Sequence, residues 1–352
     1  MADDSQAAGL PAGSVRDLVV DGRTVRFADG GDGPALLLIH GLGGSWQTWL
    51  ENIPVLARGY RVIAIDLPGF GRSDPLPAPG GTERFIEVIA TLLDELGVTQ
   101  TVVVGHSLGG LVATLVAERR PRLARGLVLV SAGSVNLGRG RLAMIGVGFG
   151  VFDAIVRRTP LLDLVANHAR LRWAFLRGAV QRPDTLAPAL AREVIPAMRA
   201  PGFADAVASG VAVVRAAEPM RVACPTSLIW GRDDHLVPLW TAHRIRRDLP
   251  GARLAVLEDV GHCAMFEWPE VFNQIMLGFL SDLDRGTAGR PDRAPADHDP
   301  VAWYTRPRRT GVVRGLVRLG RHGRRHLFTA LGLYTPPPRL VAGIAQPSRE
   351  IA

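Results

Sequence analysis

Short, continuous apolar runs alternate with longer mixed segments in the first part of the chain, and this alternation constrains the fold more than any other feature. The runs are rich in Val, Ile and Leu and comprise Leu36–Ile39, Val62–Ile65, Val102–Val104 and Leu127–Val130. Such runs are typical of strands that are buried on both faces, as in a parallel sheet. Helix-like segments lie between the later runs, and this strand–helix–strand repetition predicts a doubly wound, mostly parallel α/β sheet.

Four more strands complete the predicted sheet. Asp17–Val20 and Thr24–Ala28 flank Asp21-Gly22, a dipeptide that is typical of hairpin turns. Thr226–Trp230 and Arg253–Leu257 resume the apolar pattern after a long interruption. We therefore expect eight strands in one sheet.

Residues 133–218 interrupt the pattern, because they contain no clear strand and have the character of several helices. A helical insertion between two strands is predicted to lie over the sheet as a cap. Some of its apolar side chains are expected to line a cleft and to favour a hydrophobic substrate. Arg172 and Arg177 are candidates to meet a substrate carboxylate, with a solvated helix face as the commoner alternative. The large apolar cap residues are Ile145, Val147, Phe149, Val151, Phe152, Leu161, Leu162, Trp173 and Phe175.

The chain carries a net charge of +8, and this charge is concentrated at its C-terminal end. Residues 285–352 hold 13 arginines and four acidic residues, so the first 284 residues are almost neutral. The segment 285–310 is rich in Pro, Gly, Asp and Arg, as linkers are. The predicted organisation is a disordered N-terminus (1–14), an α/β core (15–132 and 219–284), a helical cap (133–218), a linker (285–310) and a basic amphipathic tail (311–352).

Residues 311–331 of this tail place basic and apolar side chains on nearly opposite faces of a helical wheel. Two interpretations follow: the apolar stripe packs on the body, or the helix lies on an anionic membrane surface. Nucleic-acid binding is disfavoured, because no recognition fold accompanies the basic residues. The residues on the two faces are Arg314, Arg318, Arg321 and Arg325, and Val312, Leu316, Leu319 and Leu327.

Composition excludes several other classes of protein. With two cysteines, Cys224 and Cys263, the chain has neither a disulfide framework nor a Cys-rich zinc site. Its polar, acidic start is unlike a secretory signal, and no apolar run reaches the roughly 18–20 residues of a spanning helix. We expect a cytoplasmic protein without metal or cofactor, for which peripheral membrane contact through the tail remains an open alternative.

Gly105-His106-Ser107-Leu108-Gly109 matches the pattern G-x-S-x-G where a buried strand is predicted to end and a helix to begin. The pattern requires a sharp turn that exposes the serine hydroxyl, and a bulky side chain at 105 or 109 would clash in that turn. The positive end of the following helix lies near the negative charge that develops during attack. These features predict that Ser107 is a nucleophile.

A serine nucleophile needs a general base and an acid that orients it, and both follow the serine in this kind of site. His262 is the best candidate base because it lies just beyond a predicted strand, whereas His168 and His243 lie in helix-like segments. Asp233 and Asp234 share one loop, and we expect one to cap the next helix and the other to orient His262.

Four motifs, read together, carry a resemblance to a known family. They are His40-Gly41-Leu42-Gly43-Gly44, then Asp66-Leu67-Pro68-Gly69-Phe70-Gly71-Arg72-Ser73, then the serine turn, and then Gly231-x-x-Asp234-x-x-x-Pro238 followed by Gly261-His262. Over about residues 15–284 the chain resembles the α/β-hydrolase superfamily, in its single-domain branch with a helical cap.

The resemblance implies a set of roles. Ser107 would attack an acyl carbonyl, His262 would transfer the proton, and Asp234 rather than Asp233 would fix the imidazole. The backbone amides of Leu42 and Leu108 would form the oxyanion hole. Supporting positions are His40, Gly41, Gly105 and Gly109, and His106 is a candidate to line the pocket.

We therefore expect hydrolysis of a small or medium hydrophobic carboxylic ester. A serine at position 107 argues against the dehalogenases and epoxide hydrolases of this fold, which use an aspartate nucleophile. Carbon–carbon bond hydrolysis of a ring-fission diketone is the enzymatic alternative, although Gly41-Leu42-Gly43-Gly44 departs from the Gly-Gly-Pro-Gly loop of many such enzymes. The non-enzymatic alternative is a relative that binds a ligand without turnover.

Overall fold

A single nine-stranded sheet organises the chain in a computed structural model that describes residues 9–11, 13–77, 81–134, 139–158, 161–183, 186–216, 220–288 and 301–305. All eight strands that the sequence predicts are present, within a few residues of the predicted bounds. The strands are β1 Val15–Val20, β2 Arg23–Gly30, β3 Ala35–Ile39, β4 Arg61–Ile65, β5 Thr101–His106, β6 Ala124–Val130, β7 Thr226–Gly231, β8 Arg253–Leu257 and β9 Val301–Tyr304.

The strand order is β1-β2-β4-β3-β5-β6-β7-β8-β9, and the sheet is parallel from β4 to β9. Among the nine described strands, only the β1–β2 hairpin and the β2–β4 pair are antiparallel. In the register of the centre, Gly105 of β5 lies between Ile39 of β3 and Leu129 of β6. The carboxyl ends of these strands therefore meet at one edge, where open α/β sheets bind their ligands.

The ninth strand corrects the prediction that residues 285–310 are only a linker. Val301–Tyr304 pairs in parallel with β8, and the Glu258 backbone N–H donates to the Tyr304 carbonyl at 2.8 Å. The side chain of Tyr304 is buried. Four residues between polar segments give too short a pattern to be recognised, and the strand is stabilised by the edge that β8 offers rather than by its own periodicity.

The start of the chain also differs from the prediction of disorder over residues 1–14. Of this segment the structure describes 9–11, 13 and 14, and there Leu10 is buried against the backbone of Gly30. The Ser14 N–H donates to the Pro11 carbonyl at 3.2 Å. The predicted tail, 311–352, lies outside the described residues, as does most of the predicted linker.

Helices cover both faces of the sheet, as the doubly wound prediction requires. The side chains of α2, α3 and α9 join one apolar cluster, and those of α1, α10 and α11 join another on the opposite face. The helices are α1 Ile53–Leu56, α2 Thr82–Glu95, α3 Leu108–Arg119, α4 Arg139–Arg158, α5 Leu162–Asn167, α6 Ala169–Leu176, α7 Pro188–Val194, α8 Phe203–Ala216, α9 Trp240–Asp248, α10 Ala264–Glu267 and α11 Pro269–Asp284.

The segment inserted between β6 and β7 contains helices α4 to α8 and no strand among its described residues. Helix α4 packs along α8, while α5 packs against α6 and α7. Helix α7 ends at Val194, because Pro196 cannot donate an N–H and begins a separate 3-10 turn. No helix in the part of the chain that the structure describes is both long enough and apolar enough to cross a membrane.

A buried carboxylate, Asp66, ties together the loops that follow β3 and β4. One of its oxygens accepts the Trp46 N–H at 2.7 Å, and the other accepts the Arg72 N–H at 2.9 Å. Gly71 has a φ of +54°, and a Cβ there would lie 2.0 Å from the Asp66 carboxylate. Burial raises the pKa of Asp66 to about 6, against the lowering effect of its two backbone donors.

We predict that Asp66→Asn removes a pH dependence from the stability of the fold. The pKa of Asp66 is about 6 in the folded chain against 3.8 for an ordinary Asp, so the folded state binds more protons between these values. The unfolding free energy of the wild type should fall by roughly 2 kcal/mol relative to that of the variant as the pH rises from about 4 to about 7. Urea unfolding at a series of pH values measures this, and a pH-independent difference between the two proteins would contradict it.

Candidate active site

Ser107 occupies the turn between the last residue of β5 and the first residue of α3. Its φ of 52° and ψ of −114° lie in a region that non-glycine residues rarely adopt. The strained turn is held by the Ser107 carbonyl, which accepts the N–H groups of Gly110 and Gly133, each at 3.0 Å. The turn directs the Ser107 side chain to a cavity beneath the cap.

The glycines on either side of Ser107 are required by close backbone approach. A Cβ at Gly105 would lie 2.1 Å from the Gly109 carbonyl oxygen. A Cβ at Gly109 would lie 2.3 Å from the carbonyl oxygen of His40. Either substitution would force β5, α3 and the loop after β3 apart, which agrees with the clash argued from the sequence.

His262 and Asp234 meet through a buried hydrogen bond. The His262 Nδ1 lies 2.8 Å from the Asp234 Oδ2, and both side chains are almost inaccessible to solvent. The other Asp234 oxygen accepts the N–H groups of Leu236 at 3.0 Å and Val237 at 2.8 Å. The expectation that one of these aspartates caps the next helix while the other orients His262 is therefore wrong. Asp234 alone accepts the N–H groups of the turn and contacts His262.

His40 braces the loop that contains Gly41 and Leu42. Its Nε2 accepts the Leu67 N–H at 3.0 Å, so the proton must be on Nδ1, which donates to the Gly41 carbonyl at 2.7 Å. Burial lowers the pKa of His40 to about 4, so the ring is neutral at pH 7. The Gly44 N–H closes the loop by donating to the Gly41 carbonyl at 3.0 Å.

His106 lies behind His262 instead of lining the cavity. The two ring centroids are 4.7 Å apart, and the His106 Nε2 donates to the His262 carbonyl at 3.1 Å. Burial, reinforced by the proximity of His262, lowers the pKa of His106 well below its usual value. His106 is therefore neutral, and it supports the loop of His262.

An apolar cavity of about 130 Å³ lies between the carboxyl edge of the sheet and the cap. Among the described residues that line it, Ser107 and His262 are the only ones with polar side chains. The remaining lining residues are Leu42, Leu108, Leu111, Gly133, Ile145, Phe149, Ala206, Val207, Gly210, Val211, Val214, Leu236 and Val237.

Leu42 and Leu108, the two predicted oxyanion-hole positions, both lie at this cavity beside Ser107. Leu108 is the first residue of α3, and the first N–H groups of a helix have no acceptor within the helix. Its amide is therefore available to a negatively charged oxygen, which the helix dipole also favours.

Three other residues named from the sequence, Arg172, Arg177 and Cys263, do not line the cavity. Arg172 is buried and donates to the Ala166 carbonyl at 2.8 Å, while the Arg177 guanidinium lies 4.5 Å from the centre of the Trp173 ring. Neither arginine lines the cavity. Burial raises the pKa of Cys263 well above its usual value, which keeps the thiol protonated and unreactive.

Glu267 is a site residue that the sequence pattern does not reveal. One of its carboxylate oxygens accepts the N–H groups of Gln181 at 2.8 Å and Gly261 at 3.0 Å, and the other accepts the Cys263 N–H at 3.0 Å. The carboxylate therefore brackets His262 on both sides and connects its loop to the cap. The partners include a residue 86 positions earlier in the chain, so no local motif could have indicated the contact.

We predict that Glu267→Ala destabilises the fold by about 1–3 kcal/mol, because the partly buried N–H groups of Gly261 and Cys263 and the exposed N–H of Gln181 all lose their acceptor. Glu95→Ala, which removes an exposed carboxylate at the end of α2, should change the unfolding free energy by less than about 0.5 kcal/mol. Chemical denaturation of both variants measures the contrast. Equal losses in the two variants would show that the Glu267 contacts add nothing.

Comparisons with known proteins agree with this architecture. The chain is 34% identical over 261 residues to a protein of Stutzerimonas stutzeri named "Putative carbamate hydrolase RutD", covering 71% of this chain and 93% of that protein. It is 29% identical over 269 residues to a 2-hydroxy-6-oxononadienedioate/2-hydroxy-6-oxononatrienedioate hydrolase of a Pseudomonas species, covering 73% and 92% of the two chains.

Among solved structures, a membrane phospholipase A described as a bacterial virulence factor superposes with a TM-score of 0.64 at 26% identity, covering 80% of this chain and 89% of the other. The family model described as the alpha/beta hydrolase fold matches residues 34–269, which include Ser107, Asp234 and His262. Since this match spans well over half of the sequence, the chain belongs to the alpha/beta hydrolase family.

Proposed function

We propose that this hydrolase-family protein cleaves a small or medium hydrophobic carboxylic ester through an acyl-enzyme intermediate on Ser107. One observation carries the proposal. An otherwise apolar cavity presents just two polar side chains among its described residues, Ser107 and His262, and His262 is bonded to the buried Asp234. A nucleophile and a base are thus presented to an apolar substrate group.

In the first half-reaction the Ser107 hydroxyl attacks the ester carbonyl while its proton passes to the Nε2 of His262. Asp234 accepts from Nδ1, which fixes the tautomer with a free Nε2 and stabilises the imidazolium that forms. Collapse of the tetrahedral intermediate breaks the carbon–oxygen bond, and the imidazolium protonates the departing alcohol. Water then repeats the sequence on the acyl-enzyme and releases the carboxylic acid and free Ser107.

The amides of Leu42 and Leu108 would hold the negatively charged oxygen of the tetrahedral intermediate. Two observations support this role: Leu42 and Leu108 both line the cavity, and Leu108 is the first residue of α3. Each donor of this kind typically contributes about 2.7–4 kcal/mol to transition-state stabilisation.

The two neutral histidines next to this site also favour the reaction. His40 and His106 both have lowered pKa values because they are buried, so neither is charged when His262 takes up a proton. A second imidazolium within 5 Å would oppose the charge on His262. The positive charge therefore forms on His262 alone, which contacts Asp234 and lines the cavity together with Ser107.

The size of the cavity favours a substrate with a small acyl or aromatic group. The volume of about 130 Å³ is similar to that of an apolar cavity of about 150 Å³ that admits benzene. Burial of each further methylene group is worth about 0.8 kcal/mol until the cavity is full. We therefore infer that the substrate places a compact hydrophobic group against α4 and α8.

Carbon–carbon bond hydrolysis is the second candidate, because one relative at 29% identity is named a hydrolase of 2-hydroxy-6-oxononadienedioate, which has the 2-hydroxy-6-oxo chain of a ring-fission product. Its named substrates bear two carboxylates, whereas no cationic side chain is found among the described lining residues. This contrast favours the ester. Carbamate cleavage, named for the relative at 34% identity, would use the same nucleophile and oxyanion hole.

We predict that a fluorophosphonate probe labels Ser107 in the purified protein, and that Ser107→Ala and His262→Ala abolish labelling. Asp234→Asn should leave the protein folded and reduce kcat by about 10⁴-fold, because the wrong imidazole tautomer becomes dominant. Mass spectrometry of the labelled peptide and ester assays measure both effects. A folded wild type that is neither labelled nor active would instead support a ligand-binding role without turnover.

We predict that Val211→Trp, which reduces the cavity on the α8 side, shifts the preferred acyl chain of p-nitrophenyl esters to a shorter length. Each methylene that no longer fits should lower kcat/KM by roughly fourfold relative to the wild type. Ala212→Trp places the same side chain at an exposed position of α8 and serves as the control. Identical chain-length profiles for all three proteins would place the acyl group elsewhere.

A further inference from the structure

Helix α4 exposes a stripe of large apolar side chains on the outside of the cap. Met144, Val147, Val151 and Ile155 each keep 55–69% of their surface exposed. Their spacing of three and four residues puts them on one face of the helix. We call these four side chains the outer stripe. Eight of the eleven large apolar residues that are exposed in the described chain belong to the cap.

The opposite face of the same helix is apolar as well. Ile145 and Phe149 line the cavity, and Phe149 and Phe152 pack against the ring of Phe203 with centroids about 6 Å apart. A helix on the surface of a soluble domain needs only one apolar face, the one that contacts the core. The cap therefore does not need the outer stripe in order to fold.

Charge indicates what the outer stripe contacts. Residues 139–183 contain eight arginines and two acidic residues, and one of these, Asp153, is paired with Arg157 at 2.8 Å. The rest of the first 284 residues holds 20 arginines and 27 acidic residues. Positive charge is thus concentrated in the segment that also exposes apolar side chains, as in helices that lie in the interface of an anionic membrane.

We propose that the outer stripe of α4 binds an anionic phospholipid surface, with Met144, Val147 and Val151 inserted at the headgroup–acyl boundary. A second copy of the chain fits less well, because two cap segments with the same positive excess would repel each other. Nucleic acid fits less well because it offers a charged backbone but no apolar surface to cover the aliphatic side chains. This surface is distinct from residues 311–331 and does not depend on the reaction at Ser107.

Vesicle flotation with the full-length chain tests the proposal. The wild type should float with vesicles of equal parts phosphatidylglycerol and phosphatidylcholine, and binding should weaken with added salt and with phosphatidylcholine alone. Val147→Asp combined with Val151→Asp should reduce the partition coefficient at least tenfold, because two apolar side chains no longer enter the bilayer. Ala208→Asp combined with Ala212→Asp, at exposed positions of α8, should bind as the wild type does.

Two further proteins make the outcome decisive. Val147→Ser combined with Val151→Ser is a milder change in case the aspartates disturb α4, and circular dichroism with a soluble-ester assay checks that folding and hydrolysis are retained. A full-length protein with Arg314, Arg318, Arg321 and Arg325 changed to Ala measures any contribution of the tail. The proposal is overturned if the wild type does not float, or if the outer-stripe variants float as the wild type does. It is also overturned if the wild type and the outer-stripe variants bind a DNA duplex equally while neither binds vesicles.

Discussion

The close backbone contact between β5, the start of α3 and the loop after β3 is the constraint on which the rest of the structure depends. Gly105 and Gly109 allow these three segments to approach within a distance that any side chain would prevent. The approach holds Ser107 in a conformation with a positive φ, and Leu42 and Leu108, the residues of the proposed oxyanion hole, line the same cavity. The parallel sheet supplies the rigid frame that holds this strain, since β5 is paired on both sides.

A second set of contacts connects the cap to the site. The His262 N–H donates to the Ala179 carbonyl at 2.7 Å, and Glu267 links the N–H groups on either side of His262 to Gln181. A Cβ at Gly261 would lie 2.7 Å from the same Ala179 carbonyl. The segment after α6 is therefore bonded directly to the loop that carries the proposed base, so the cap is part of the support of His262 as well as a cover over the cavity.

Much of this architecture could be predicted from the sequence, because continuous apolar runs and the glycines around Ser107 report on local geometry. The predictions failed where the deciding contact was distant. Val301–Tyr304 forms a strand only because the edge of β8 is available, and Glu267 acquires its role from partners in the cap. The local pattern alone does not separate Asp233 from Asp234, since both share one loop. The family motif Gly231-x-x-Asp234-x-x-x-Pro238 implied Asp234, and in the fold it is this carboxylate that contacts His262.

The nearly uniform apolar lining of the cavity has a consequence for how this scaffold could change during evolution. A hydrophobic pocket discriminates weakly between substrates that differ by a methylene group, but a single buried polar group discriminates strongly, because it is left unsatisfied by any substrate that lacks a partner for it. Positions such as Val207, Val211 and Val214 lie along one helix of the cap, away from the backbone contacts that constrain Ser107. A substitution at these positions can add a hydroxyl or an amide to the cavity wall while the backbone around Ser107 stays unchanged, so substrate preference can change independently of the proposed catalytic residues.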